Sequence, residues 1–333
     1  MEEDEVARGW NLFFPYAQKN MDRVRDSNTR FVHYTSAESG IKILRTNRML
    51  LRNSAMMNDF SEVQYGMECL SAAYNSPLGD RLKAVMKSVQ DDLPDIFEND
   101  FNDEFGEVRS ETYLLSISEH GDPINGDELE DQFGRLSMWR AYASRNGIAF
   151  IFNSKPFLTE TNALNAFSNP VSYATPAAFA DNFEEVVIGA EQNLDQLVRL
   201  GGAFLYESLI TACRFAVQST KHPSFREERE WRVIYAPTLL QRKGLLTEAQ
   251  MAKIPTEILT LNGAPQRIYA IPFVDYPDED FTGATIPELI DRILIGPSPD
   301  SYHIAQAFIA ELSRCGVENA EQKVVVTGVP LRV

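Results

Sequence analysis

Three short clusters hold the side chains from which chemistry could be built. The first is His33-Tyr34-Thr35, delivered by the apolar run Phe31-Val32. A histidine at a strand end can hydrogen-bond a ribose hydroxyl, and a tyrosine can stack on an aromatic ring. Neighbours on a regular strand point to opposite faces, so both enter one site only if the strand stops there. Thr35-Ser36 predicts that it does. The second cluster is Asn58-Asp59-Phe60-Ser61-Glu62, where the polar groups could orient a ligand or cap a helix. The third is Arg226-Glu227-Glu228-Arg229-Glu230-Trp231-Arg232. Alternation from Trp231 puts Glu230 and Arg232 on one face and Trp231 in the core. A carboxylate at a strand mouth beside an arginine suits stabilisation of positive charge developing on a substrate. Surface ion pairing is the structural alternative.

Further candidates fall between these clusters. Arg45, Arg48 and Arg52 form a basic stripe if one helix carries all three, and a diphosphate could bridge from them to the His-Tyr pair. Ser116 and Ser118 share a strand face, where paired hydroxyls could meet a ligand or support a carboxylate. Trp139 and Tyr142, three residues apart, share a helix face that either packs into a core or walls a slot for a base.

The elements that must position these groups are legible in part. Residues 6–27 read as a lead-in helix. Residues 38–46 have helical spacing, with Ser36 as N-cap. Met49–Arg52, Tyr113–Ser118, Ile148–Phe152, Trp231–Tyr235, Ile268–Pro272, Ile290–Ile295 and Lys323–Val326 read as strands, Asn146-Gly147 being a turn signal before the third. Helical patterns cover residues 78–90, 137–143, 176–219 and 302–315. Strands and helices alternating at irregular spacing predict an α+β fold, a mixed twisted sheet with flanking helices. No repeat or low-complexity linker interrupts the pattern. The expected organisation is a lead-in at 1–29 and a single domain at 30–333.

Composition narrows the classes. Of 333 residues, 44% are apolar and 11% aromatic, which argues for a folded core. Cys69, Cys213 and Cys315 are widely spaced and give neither a zinc motif nor a disulfide framework. The start, Met-Glu-Glu-Asp-Glu, is opposite in charge to a signal peptide, and no apolar run approaches a membrane span. A cytoplasmic protein is the expectation. The formal charge is −17, and residues 91–131 hold fifteen Asp and Glu against the single Arg109. That acidic insertion repels a phosphate backbone and could attract a basic protein partner.

Several segments together resemble a widespread bacterial family of uncharacterised proteins: His33-Tyr34-Thr35, Asn58–Glu62, Ser116–Glu119, Met138–Tyr142, Gly147–Phe150, Phe225–Arg232, Ile295–Pro297 and Val329–Arg332. More remotely, the order His-Tyr, Ser-x-Ser, Glu-x-Glu resembles ADP-ribosyltransferases, including toxins that modify nucleic acids. The resemblance implies that His33 holds NAD, Tyr34 stacks on nicotinamide and Glu230 stabilises the ribosyl oxocarbenium ion, with Glu228 as the alternate carboxylate. It implies NAD as substrate, a protein or nucleic-acid acceptor, and a toxin or phage-defence role. Thr35, Arg52, Asn58, Ser116, Ser118, Trp139 and Tyr142 would complete the nucleotide site. Two other classes stay open. Asp59 or Glu62 with Glu230 and Arg232 loosely imitates a metal-dependent nuclease. A non-enzymatic nucleotide-sensing or interaction protein would bind its ligand or partner without turnover.

Overall fold

The computed structural model describes residues 3–56, 61–121, 128–142, 146–242, 244, 246–261 and 263–329. The contacts group these residues into two interleaved compact units. One comprises residues 1–22, 54–112 and 169–226, and the other comprises 23–53, 113–168 and 227–333. The expectation from sequence is a lead-in at 1–29 and a single domain at 30–333. The acidic stretch is divided between the units. Leu93–Ser110 is a helix of the first unit, whereas residues 113–131 belong to the second.

The first unit is helical. Its helices span Glu3–Asn11, Pro15–Asp26 (through Asp22), Ser61–Tyr74, Pro77–Val89, Leu93–Ser110, Pro176–Gln192, Leu194–Leu200 and Gly202–Gln218. Two starts follow directly from sequence. Ser76 and Thr175 each accept a backbone N–H with their hydroxyl, and Pro77 and Pro176 fill the first helical positions where no N–H is needed. Apolar stripes then converge, and Phe13, Leu82, Met86, Val187, Leu205 and Ile210 are among the buried core. The region read as one helix over 176–219 is broken at Asn193 and at Gly201, whose φ of 88° favours glycine. The lead-in is likewise two helices, with Pro15 opening the second. No single helix among the described residues is long and apolar enough to cross a membrane.

The second unit is built on a mixed, largely antiparallel sheet. Twelve strands are described in chain order: β1 (Arg30–Ser36), β2 (Arg48–Asn53), β3 (Tyr113–His120), β4 (Gly147–Phe152), β5 (Phe167–Pro170), β6 (Ser172–Tyr173), β7 (Thr220–Lys221), β8 (Glu230–Tyr235), β9 (Thr256–Leu261), β10 (Ala264–Pro272), β11 (Ile290–Ile295) and β12 (Val324–Val326). β6 and β7 form a small parallel pair in the first unit. The others make one sheet, ordered β12-β11-β4-β1-β3-β2-β10-β9, with β8 branching from β3 and β5 pairing with β8. Only β11 and β12 run parallel within the main path.

β3 is the branch point. β8 pairs with it from residue 113 to 118, while its other edge pairs with β2 at 113–114 and with β1 at 118–120. Among the described residues, Leu115, Ser116 and Ile117 therefore have no ladder partner on that second edge. One face of the sheet carries Phe31, Phe150, Phe152 and Trp231, with Phe157 and Phe308 packed edge-on against them. The opposite face carries Val32, Tyr34, Ala149, Ile151 and Leu294, covered by Met138 and Trp139 from the helix Leu136–Tyr142.

Close helix packing in the first unit gives a stability test. A Cβ on Gly66 would lie 2.2 Å from the Val217 carbonyl oxygen, so Ser61–Tyr74 and Gly202–Gln218 can approach only through that glycine. Gly66→Ala should cost about 1–3 kcal/mol, as overpacking does. Gly189 would meet nothing closer than the Leu12 carbonyl at 3.7 Å. Gly189→Ala should instead gain up to about 1 kcal/mol of helix propensity. Urea midpoints of the two variants should move in opposite directions.

Candidate functional site

β1 does not stop at Thr35. It pairs with β4 through Ser36–Gly147, so alternation holds and His33 and Tyr34 face opposite ways. Tyr34 is buried, edge-on to Trp139 at 4.8 Å, and its Oη accepts the Arg135 backbone N–H at 2.8 Å. Burial pushes its phenol up to about 12, against the opposing effect of that N–H. This is a core tyrosine with no open face for a nicotinamide. Trp139 is buried too and donates Nε1–H to the Phe133 carbonyl at 2.8 Å.

His33 turns into the gap on the edge of β3. Its Nδ1 donates to the Ser116 carbonyl at 3.0 Å, occupying the backbone left open between β1 and β2. Burial lowers its pKa despite that hydrogen bond, so the ring is neutral at pH 7 with Nε2 as acceptor. Thr35 lies on the same side of β1, half-buried.

Whether His33 and Glu230 can share a site is decided by register. Val32, Ser118 and Glu230 lie in one row across β1, β3 and β8, and side chains directly opposite on antiparallel strands share a face. His33 belongs to the other face, with Phe31 and Trp231. The structure does not bring His33 and Glu230 together. Glu230 is 5% exposed and takes Arg232 Nε–H at 3.0 Å, a buried pair where the sequence suggested a surface one. Ser118 is buried in the same row, and Ser116 sits beside Arg232 in the next.

The basic stripe also dissolves. Asn47, at φ 54°, ends the helix Ala37–Thr46, so Arg45 is on the helix while Arg48 and Arg52 are on β2. Arg45 pairs with Glu311 at 2.7 Å, and Arg48 with Glu257. Arg52 is half-buried opposite Leu114 and Ile268. Asn58 and Asp59 lie outside the described residues, and so do their proposed capping and ligand roles.

What the fold does assemble is a polar corner where β3 ends and β8 begins. Arg135, itself buried, donates to the carbonyls of Glu227 (2.5 Å), Glu228 (3.0 Å) and Glu119 (2.8 Å), and pairs with Glu130 at 2.9 Å. Arg229 adopts φ 44°, a conformation that costs a non-glycine residue about 1–2 kcal/mol. The cost is offset by its bonds to Glu130 and to the Gly121 carbonyl at 2.5 Å, and by its own carbonyl taking the Glu119 N–H. Glu119 is held in turn by Arg23 and by Trp231 Nε1–H at 2.8 Å.

On the outer side of this corner the helix Leu136–Tyr142 meets the turn Pro223–Glu228. Tyr142 Oη donates to Glu228 Oε1 at 2.8 Å, and Ser137 Oγ donates to Glu227 Oε1 at 2.8 Å. The Tyr142 ring is 45% exposed, Glu227 is exposed and Glu228 half-buried. Trp139 and Tyr142 thus play different parts, one in the core and one at the surface. Two carboxylates, each oriented by a neutral hydroxyl and backed by a pinned backbone, are within reach of solvent beside an open aromatic ring. Arg135 and Ser137 were absent from the candidates read in the sequence. An arginine three residues before Met138-Trp139 carries no local signal of the carbonyls it will reach some 92 residues later.

Residues 138–233 match a family described as a protein of unknown function, DUF2971. That span contains Met138–Tyr142, Gly147–Phe150 and Phe225–Arg232, including both partners of the Tyr142–Glu228 contact. No curated protein and no solved structure matches the chain.

A buried histidine in the same unit predicts a pH dependence. His120 has a fully buried side chain, with Nε2 3.2 Å from Asp131 and Nδ1 without a hydrogen-bond partner among the described residues. Burial, reinforced by nearby Arg30, lowers its pKa to about 4. The folded state therefore prefers the neutral ring. That contribution is complete above about pH 6.5 and is lost as pH falls toward 4, at about 1.4 kcal/mol per unit. Between pH 7.5 and 5.0 the wild type should lose on the order of 2 kcal/mol in urea unfolding that His120→Gln does not.

Proposed function

We propose that the protein is an ADP-ribosyltransferase-like enzyme acting on NAD, with its reacting carboxylates at Glu228 and Glu227. The observation that carries this reading is the Tyr142–Glu228 hydrogen bond of 2.8 Å at the solvent-facing mouth of β8. Cleavage of the nicotinamide–ribose bond leaves the electron pair on nicotinamide and positive charge at the ribose C1′. A fixed, ionised carboxylate stabilises that charge only if it can approach it. Glu228 meets the requirement of approach, because part of its surface is open and the Tyr142 hydroxyl orients one of its oxygens. Glu230 does not, because Arg232 already neutralises it in a buried pair. The exposed face of Tyr142 can stack on the nicotinamide ring. Glu227, held by Ser137, can take the proton that an acceptor hydroxyl or water gives up on adding to C1′. The acceptor is a protein or nucleic-acid group, and a toxin or defence role would follow from modifying it.

A second reading is a nucleotide-binding protein without turnover, since the buried pairing of Glu230 with Arg232 removes one candidate reacting carboxylate. The nuclease reading has less support. Among the described residues no three His, Cys, Asp or Glu side chains converge to hold a metal, and Asp59 lies outside them.

Nicotinamide release from NAD, followed by mass spectrometry, separates the readings. Glu228→Gln should lower the rate about 100-fold or more, the scale of losing one transition-state electrostatic partner. Tyr142→Phe should lower it less and leave stability nearly unchanged. Glu230→Gln should act on stability instead, since it leaves Arg232 buried without its carboxylate. A wild-type rate no greater than that of Glu228→Gln would sink the enzyme reading. Calorimetric NAD binding without release would select the second.

A further inference from the structure

Arg135 joins the two sides of the Tyr142–Glu228 and Ser137–Glu227 hydrogen bonds. Ser137 and Tyr142 belong to the helix Leu136–Tyr142, whereas Glu227 and Glu228 belong to the turn before β8. The Arg135 carbonyl accepts the Trp139 N–H at 3.1 Å and so opens that helix. Its Nη1 donates to the Glu227 carbonyl at 2.5 Å and the Glu228 carbonyl at 3.0 Å, the backbone from which the two carboxylates leave. Its Nη2 is taken by the Glu119 carbonyl at 2.8 Å and the Glu130 carboxylate at 2.9 Å. One residue therefore sets where both the hydroxyls and the carboxylates begin.

Arg135 is itself anchored by Tyr34. The N–H of a residue that opens a helix has no partner within that helix. Here Tyr34 Oη accepts it at 2.8 Å, and both residues are buried. Gly134, at φ 69°, turns the chain into this position, where a Cβ would lie 2.9 Å from Trp139 Nε1. Tyr34 in turn is fixed in β1, paired with Ala149 of β4 and edge-on to the Trp139 ring at 4.8 Å. Its hydroxyl thus reaches from the sheet to the residue on which both sides of the site depend.

We infer that Tyr34 and Arg135 are positioning residues: Tyr34 Oη fixes Arg135 against the sheet, and Arg135 fixes Glu228 against Tyr142. Both are buried and act without touching the substrate. The inference rests on the reading of Glu228 as a reacting carboxylate. Rate depends steeply on such placement, since a shift of about 1 Å can cost about 100-fold. Lysine cannot stand in for Arg135, because its single ammonium lacks the planar fork that reaches three carbonyls and a carboxylate together. Phenylalanine at position 34 keeps the ring against Trp139 and removes only the oxygen, so Tyr34→Phe isolates the anchor.

The test compares the full-length wild type with Tyr34→Phe, Arg135→Lys and Ile151→Val, the last a conservative change in the same buried cluster as Tyr34. Crystal structures should show Tyr142 Oη and Glu228 Oε1 moved from 2.8 Å to beyond hydrogen-bond range in the first two variants and unmoved in the third. In nicotinamide release from NAD, Tyr34→Phe should lower kcat and kcat/KM together by about tenfold, the equivalent of one hydrogen bond. Arg135→Lys should lower them about 100-fold. Ile151→Val should lose stability and keep the wild-type kcat. The double variant should fall no further than Arg135→Lys, because Tyr34 acts only through Arg135. The inference is overturned if Tyr34→Phe keeps the 2.8 Å contact, if its kcat is no lower than that of Ile151→Val, or if the two losses add. Tyr34→Phe decides alone should Arg135→Lys fail to fold. A wild type that releases no nicotinamide would instead remove the enzyme reading, and the distances would then decide the positioning by themselves.

Discussion

Strand β3 has to satisfy three neighbours with two edges, and the second unit is arranged around that constraint. β8 takes one edge from residue 113 to 118. β1 and β2 share the other, meeting it at opposite ends and leaving residues 115–117 between them. A strand edge left open inside a protein strands backbone polar groups, so something must cover it. His33 does this by donating Nδ1–H to the Ser116 carbonyl. The same arrangement sets the faces. Because β1 and β8 both pair in register with β3, the rows crossing the sheet are determined, and a one-residue step along β1 moves a side chain to the other side. The separation of His33 from Glu230 is a consequence of that register.

The polar corner at the end of β3 follows from the same branch. Where β3 finishes, the chain must turn at Gly121, and where β8 begins, it must emerge from the turn Pro223–Glu228. Both ends expose carbonyls that no strand pairs. Arg135 and Arg229 cap four of them: those of Glu119, Gly121, Glu227 and Glu228. Glu130 balances the two guanidinium groups. Taking these charges out of water is expensive, and replacing such a cluster by apolar residues often loses no stability. Its value here is geometric. Five planar donors per arginine fix backbone directions that a hydrophobic contact would leave loose. Glu227 and Glu228 consequently leave the corner in defined orientations.

Elements whose signals are local were legible in the sequence. Ser36 caps the helix Ala37–Thr46 by accepting the Ser39 N–H, and the helix Pro77–Val89 and strand β4 fall within a residue of their predicted limits. What failed depends on partners far along the chain. Thr35-Ser36 does mark the end of β1, yet β4 pairs with the strand up to Ser36, so alternation still holds at His33 and Tyr34 and turns Tyr34 into the core. β9 went unread because it is an edge strand with no buried side: Ile258 is 69% exposed, so apolar alternation has nothing to report. The Arg45–Arg48–Arg52 stripe failed at Asn47, whose left-handed backbone ends the helix. For the site, the residue types at Glu228 and Tyr142 were legible, and their pairing across 86 residues was not.

Glu228 and Glu230 are two residues apart, and a regular strand would give them the same environment. Arg229 prevents that. Its positive φ interrupts the extended chain immediately before β8, so Glu230 enters the sheet in the row of Ser118 while Glu228 stays in the preceding turn beside Tyr142. The backbone strain at Arg229 is held by its side-chain bonds to Glu130 and Gly121, so the divergence depends on that residue's own side chain. One carboxylate is thereby placed in a buried ion pair and the other in a turn beside the Tyr142 hydroxyl. Environments that different are how a protein gives neighbouring acids separate roles. Here the buried member serves the sheet, and the half-buried member keeps part of its surface at the solvent.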